Sequence, residues 1–234
     1  MKKMTEMTTQ EKVDDMFNTK WWDKFSPTIM ETVVPQKFID IINNTGDEVL
    51  KDDGLSKKFD FSENLVGKVH KEVTIPVPDE NKEYCLSILR QACVKYLRHM
   101  IHLGRAYDWT KKSNNNREPS EENIYLSQSW IVSQYKHEYN PVHTHSGNFS
   151  GVIYLKIPDG MEKFMQEEIK DHYPASGLIE FSHGEKQDFK SDTLMFMPKV
   201  GQMLLFPSWL KHTVYPYYCD GERRSMSFNA YWKV

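Results

Sequence analysis

Two histidines one residue apart, His143 and His145 in "PVHTHSGNFSGVIYL", are the residues whose type and spacing first suggest chemistry. In an extended strand, side chains at i and i+2 point to the same face, so the pair can aim at one ion. Neutral imidazole is a common ligand for first-row metals. His212, which follows "GQMLLFPSWLK" and opens a further apolar run, is the natural third ligand. Such a set leaves coordination positions open for a substrate and dioxygen. Eleven residues on, Arg223 begins "RRSMSF". Period-two alternation puts Arg223, Ser225 and Ser227 on one face of a strand, and Arg224, Met226 and Phe228 on the other. A guanidinium fork two residues from a hydroxyl suits a carboxylate, so the pattern asks for an acidic co-substrate. A one-residue slip would turn Arg224 inward instead, and it stays the rival anchor.

A lone H-x-H is more often a solvated rim than a metal site; His212 and the Arg-x-Ser pair shift that balance here. The remaining histidines read as supporting residues: His137, His172 and His183 near the surface or behind the site, and His70, His99 and His102 in the N-terminal half. Phe206, Trp209 and Trp232 read as core. Gly147 and Gly151 read as turn and strand-packing positions.

These residues need a scaffold, and the chain divides in two. Residues 1–19 are polar and aromatic-poor, which predicts a flexible leader, with order beginning at Trp21 and Trp22. "QKFIDIINNTGDEVL" and "NKEYCLSILRQACVKYLRHMIHLG" carry apolar residues at helical spacing, the second ending at Gly104. The segment between them reads as irregular connection, and "TKKSNNNREPSEEN" as an exposed loop. From Ile124 onward, short runs rich in Ile, Val, Tyr, Phe and Trp recur between turn signals, predicting seven or eight strands. The expected fold is α+β: a barrel or sandwich in the C-terminal half, covered by helices from about residues 35–110.

At 234 residues and 39% hydrophobic, the chain can bury a sizeable single core. A net charge of -3 and a pI near 6.3 give no general attraction to nucleic acid or an anionic membrane. Cys85, Cys93 and Cys219 show no C-x-x-C spacing, which argues against a disulfide framework or thiolate metal site and for a reducing cytosol. No apolar stretch approaches the length of a membrane span.

The pieces "HTHSGNFSGVIYLKIP", "GQMLLFPSWLKHTVYP" and "ERRSMSFNAYW", in that order, resemble the iron(II) and 2-oxoglutarate dependent oxygenases, in particular a small prolyl-hydroxylase-like branch common in bacteriophages and marine bacteria. The resemblance covers about residues 124–234 and implies a double-stranded β-helix (a jelly-roll or cupin-like barrel) within one oxygenase domain over 20–234. It implies Fe(II), 2-oxoglutarate and O2 as reactants, ascorbate as a stimulant, and hydroxylation of a protein side chain, peptide or small metabolite with release of succinate and CO2. Residue by residue, it maps the metal ligands onto His143, His145 and His212. The 2-oxoglutarate anchor maps onto Arg223 with Ser225; Tyr135, Tyr139 and Tyr154 are candidates to line the co-substrate pocket.

His145 departs from the family pattern, which has a carboxylate there; the arrangement expected is three histidines, with His145 behind the ligands as the alternative. A phage origin would place the protein in the bacterial host cytosol. Two other readings compete: a non-catalytic cupin-like metal-binding module, and a three-histidine dioxygenase that does not use 2-oxoglutarate. The first has no need of a carboxylate fork, and the second makes Arg223 dispensable.

Overall fold

The computed structural model describes residues 19–22, 27–113, 118–161, 174–188 and 191–234. The expected leader therefore lies outside the described residues except for Thr19, as does His172. Eleven strands and four α-helices are formed among the described residues. The helices are α1 (Gln36–Lys51), α2 (Asp53–Lys58), α3 (Asp79–His102) and α4 (Tyr107–Lys112). Proline precedes α1 and α3 and sets an extended entry, since it cannot continue a helix backwards. Asp79 and Glu80 open α3, and His99 and His102 close it, matching the helix dipole. Its end is a Schellman turn: Arg105 N–H donates to Met100 O at 2.8 Å and Gly104 N–H to Ile101 O at 2.9 Å, with Gly104 at φ +66°.

The strands are β1 (Lys20–Trp22), β2 (Ile29–Val33), β3 (Lys71–Thr74), β4 (Ile124–Gln134), β5 (Asn140–His143), β6 (Phe149–Lys156), β7 (Ile179–Ser182), β8 (Thr193–Phe196), β9 (Gln202–Pro207), β10 (Lys211–Val214) and β11 (Arg223–Trp232). They make two antiparallel sheets, a larger one in the order β1-β2-β9-β6-β11-β4-β3 and a smaller one in the order β5-β10-β7-β8. This is the facing-sheet arrangement expected of a double-stranded β-helix. Eight of the strands fall within residues 124–232, in line with the turn-punctuated pattern there.

Two features differ from the sequence reading. The stretch between α1 and α3, expected to be irregular, contains α2 and β3. The N-terminal half also gives the larger sheet three strands rather than only covering it with helices. Runs of three to five residues with one to three apolar positions carry too little periodicity to announce a strand; the sheet they join makes them one.

The larger sheet has two working faces. Its outer face packs Ile131, Ile153, Met226 and Phe228 against Phe38, Ile42, Leu89 and Cys93 of α1 and α3. Each such buried side chain contributes about 1.5–3 kcal/mol. Gly151 stands opposite Phe228, where a Cβ would fall 2.3 Å from the ring, so only glycine lets the ring lie across its strand. The inner face packs Val152, Tyr154, Leu204 and Phe206 against Ile179, Phe181, Phe196 and Val214 of the smaller sheet. Cys85, Cys93 and Cys219 are buried free thiols.

Candidate functional site

The open end between the sheets gathers the candidate residues. His212 on β10 lies directly opposite His143 at the end of β5, a pairing that brings side chains on one face close together. Their ring centroids are 4.3 Å apart. His145 arrives differently from the sequence expectation. β5 ends at His143, and His145 belongs to the turn that follows it rather than to the same strand.

That turn is pinned on three sides. His145 N–H donates to Ser208 O at 2.8 Å, Asn148 N–H to Ala230 O at 2.9 Å, and the Ser208 hydroxyl to Gly147 O. Gly147 sits at φ +105° with Ala230 O 2.7 Å from where a Cβ would be, so both conformation and space exclude other residues. The result sets His145 Nε2 3.3 Å from His212 Nε2.

The tautomers follow from the backbone. His143 Nδ1 lies 2.7 Å from Pro141 O and His212 Nδ1 3.0 Å from Leu210 O, and a carbonyl can only accept, so each Nδ1 carries the proton. Both Nε2 lone pairs are then free for a metal, with the ring orientation held by the carbonyl. Burial lowers His143; burial first and His143 second lower His145 to about 4; burial first, with His143 and His145 adding, lowers His212 to about 3. Phe181 and Phe206 pack against His212 and Trp130 against His145, which accounts for the lost hydration. All three imidazoles are neutral donors near pH 7. Their ligand atoms lie within 4.8 Å of one another, and among the described residues no carboxylate joins this group.

Arg223 lies on the inner face of β11, as the alternation predicted, and lines the same cavity as the histidines with Gln134, Ser225 and Ser227. It is 2% exposed. One terminal nitrogen donates to Gln134 Oε1 at 3.4 Å, while Nε has no hydrogen-bond partner. Its guanidinium lies 5.2 Å from the Tyr154 ring centroid. The Tyr154 hydroxyl is buried behind the cavity lining; burial raises its phenol, with the Arg223 charge and a hydrogen-bonding interaction with Arg223 opposing. Burying a guanidinium with an unmet donor is costly unless an anion completes the site.

Arg224 points to the outer face. It donates to Asp47 at 2.7 Å and to both Glu222 oxygens at 2.8 and 2.9 Å, and does not line the histidine cavity. Tyr135 is a correction as well: it is 40% exposed, packs edge-on to His70, and lines a separate charged hollow with Arg224 and Asp47. One residue past the inward-facing Gln134, its side chain falls on the wrong side of the chain. Tyr139, His137 and His183 likewise stand outside the cavity lining. Trp209, expected in the core, is 54% exposed on the turn before β10.

The sequence reading missed Glu72, Asn140, Trp130 and Gln134, which complete the cavity wall with Asn64–Gly67. Alternation from Arg223 through its partner strand would have found Gln134 and Trp130. Glu72 required β3 itself, where Lys71 and Val73 face outward and leave Glu72 inward.

Residues 128–229 match the model of the family described as "Putative 2OG-Fe(II) oxygenase". The matched segment, 102 of the chain's 234 residues, is similar to the 2OG-Fe(II) oxygenase family. This family consists of oxidoreductases that use Fe(II), 2-oxoglutarate and O2, and the resemblance read from the sequence is to the same family. A structure with the same fold is that of SnoK, a non-heme alpha-ketoglutarate dependent carbocyclase from nogalamycin biosynthesis. It aligns at TM-score 0.52 and 10% identity over 98% of this chain and 87% of its own. A prolyl-4-hydroxylase from Pseudomonas putida aligns at TM-score 0.41 and 16% identity, over 95% and 97% of the two chains. The viral collagen prolyl hydroxylase of Paramecium Bursaria Chlorella virus-1 aligns at TM-score 0.43 and 13% identity, over 91% and 94%. No curated protein matches the chain.

The donor set fits the family's reactants. Three neutral nitrogens suit Fe(II), and a buried arginine with an unmet donor in the cavity wall suits a carboxylate.

Proposed function

We propose that this oxygenase holds Fe(II) with His143, His145 and His212 and anchors the far carboxylate of 2-oxoglutarate on Arg223, assisted by Ser225 and Tyr154. The product is a hydroxylated protein side chain, peptide or small metabolite, with succinate and CO2 released. The observation that carries this reading is Arg223, buried with an unmet Nε in the wall of the cavity that the three histidines line. When bound, Fe(II) would activate O2 and 2-oxoglutarate would supply two electrons, so that one oxygen atom of O2 enters succinate and the other a C–H bond.

The chain's own residues position and exclude. The Pro141 and Leu210 carbonyls fix two imidazole planes and keep Nε2 deprotonated. Gln134 holds one side of the Arg223 fork, and the Tyr154 ring below it prevents the fork from swinging away. Phe181, Phe206 and Trp130 keep the histidines dry, which strengthens every charge interaction in the cavity. Three neutral ligands leave the site one negative charge short of the family's usual set, so a carboxylate at residue 145 is expected to bind Fe(II) at least as well.

A non-catalytic metal module gives no reason for Arg223 to be buried without its full set of partners. A dioxygenase that dispenses with 2-oxoglutarate gives none either. The three buried free thiols accord with a reducing cytoplasm. Among the described residues no helix is long and apolar enough to cross a membrane.

The test is succinate formation from 2-oxoglutarate by purified protein with Fe(II) and ascorbate. Slow succinate release even without the primary substrate is expected, and His212→Ala should bring it to background. Release that persists in His212→Ala, or a wild type that binds neither Fe(II) nor 2-oxoglutarate, contradicts the proposal.

A further inference from the structure

The cavity has two charged ends, and the function proposed above uses one. Among the described residues lining it, Arg223 is the one guanidinium and Glu72 the one carboxylate. Glu72 is 4% exposed. On β3 it stands opposite Val132, which stands opposite Ser225, so Glu72 lies two strands across the sheet from the Arg223 side, about 10 Å. Among the described residues neither a hydrogen bond nor an ion pair to its carboxylate is formed, whereas most buried carboxylates are paired.

Asn140 Oδ1 is a second buried acceptor without a donor. The two converge on one point: a Cβ added to Gly67 would fall 2.3 Å from Asn140 Oδ1 and 2.8 Å from Glu72 Oε1. Glycine at 67, in the cavity wall, leaves room for both oxygens to face the same space. Asp60 adds negative charge to this end: burial, and then Asp60, push Glu72 up to about 7. Two close acceptors, a net negative field and no donor describe one half of a hydrogen-bonded ion pair.

We propose that Glu72 and Asn140 form a subsite for a protonated nitrogen of the primary substrate, an alkylammonium or guanidinium group, held at the opposite end of the cavity from the co-substrate carboxylate. This rests on the oxygenase reading for the word substrate, but not for the binding itself. The Arg223 end accepts an anion and the Glu72 end a cation, so the charges also keep the two molecules from exchanging places. A single positive group at the mouth would fix how the rest of the molecule projects toward the histidines.

The test uses the full chain and two probes of nearly the same shape, n-butylguanidinium and uncharged n-butylurea, followed by chemical-shift titration with and without Zn(II) and 2-oxoglutarate. Expected is saturable binding of n-butylguanidinium, weakened about tenfold or more in Glu72→Gln, with n-butylurea failing to bind. Asn140→Asp, which adds a second carboxylate, should tighten it. That variant moves affinity in the opposite direction and keeps the test decisive should Glu72→Gln misfold. Equal binding in wild type and Glu72→Gln, equal binding of the urea, or no binding of the cation overturns the subsite. Zn(II)-dependent binding of 2-oxoglutarate, read separately in the same samples, reports on the oxygenase reading, so either can fail alone.

Discussion

Arg223 and Arg224 are adjacent, equally buried and on the same strand, yet they face opposite worlds. Arg224 turns to the helices and spends its donors on Asp47 and Glu222. Burial would raise Asp47, but Arg224, Lys156 and Lys51 together hold it well below the usual carboxylate range. Arg223 turns to the cavity, where one long bond to Gln134 leaves Nε unmet. A buried charge with all its partners inside the fold is architecture; one with a vacancy aimed at a cavity is waiting for a ligand. The same contrast separates Asp47, held by cations, from Glu72, held by none.

The contrast can be broken at several points. The largest effect is expected at Arg223→Ala, which should weaken 2-oxoglutarate binding to the Fe(II) protein by about 100-fold, near 2.7 kcal/mol, with the fold intact. Comparable affinity in that variant would make the unmet donor irrelevant. Arg224→Ala should do the reverse. Removing the guanidinium that Asp47 and Glu222 share, with only Lys156, Lys51 and Ser133 left to meet them, should cost about 3 kcal/mol in urea unfolding, and 2-oxoglutarate affinity should stay within about twofold at temperatures where the protein is folded. Smaller again is Tyr154→Phe. Its hydroxyl interacts with Arg223, so stability should change little, while co-substrate affinity falls about fivefold, near 1 kcal/mol, through a less well held guanidinium.

Glu72→Gln sharpens the carboxylate half of the comparison through pH. Burial and Asp60 raise Glu72 to about 7 from 4.5, so the folded state binds the extra proton between those values. Its favourable contribution is complete below about 4.5 and lost as pH rises through 7. Glu72→Gln should therefore raise Tm more at pH 8 than at pH 5, and an equal shift at both would show that Glu72 titrates normally.

Much of the anion end was legible in the sequence, because alternation along "RRSMSF" is a local property of one strand. The same rule set Arg223, Ser225 and Ser227 on one face and Arg224 on the other without any knowledge of the partner strands, and the partner strands decide that the first set faces inward. The histidine cluster was legible as a set of residue types, but its geometry was not. His145 comes from a turn whose shape depends on Gly147 lying under Ala230 and on Ser208, about sixty residues away in the chain. Glu72 was invisible for a related reason. "KEVT" is four residues long, and only its pairing with β4 makes it a strand with an inner face. Tyr135 shows the opposite failure: an aromatic near the site in sequence, but one residue out of phase with Gln134.

The most direct measurement is anaerobic calorimetric titration of 2-oxoglutarate into the protein with and without Fe(II), in wild type, Arg223→Ala and Arg224→Ala side by side. The account predicts tight binding that requires Fe(II), survives in Arg224→Ala and collapses in Arg223→Ala. Binding indifferent to Fe(II), or lost equally in both arginine variants, would contradict it.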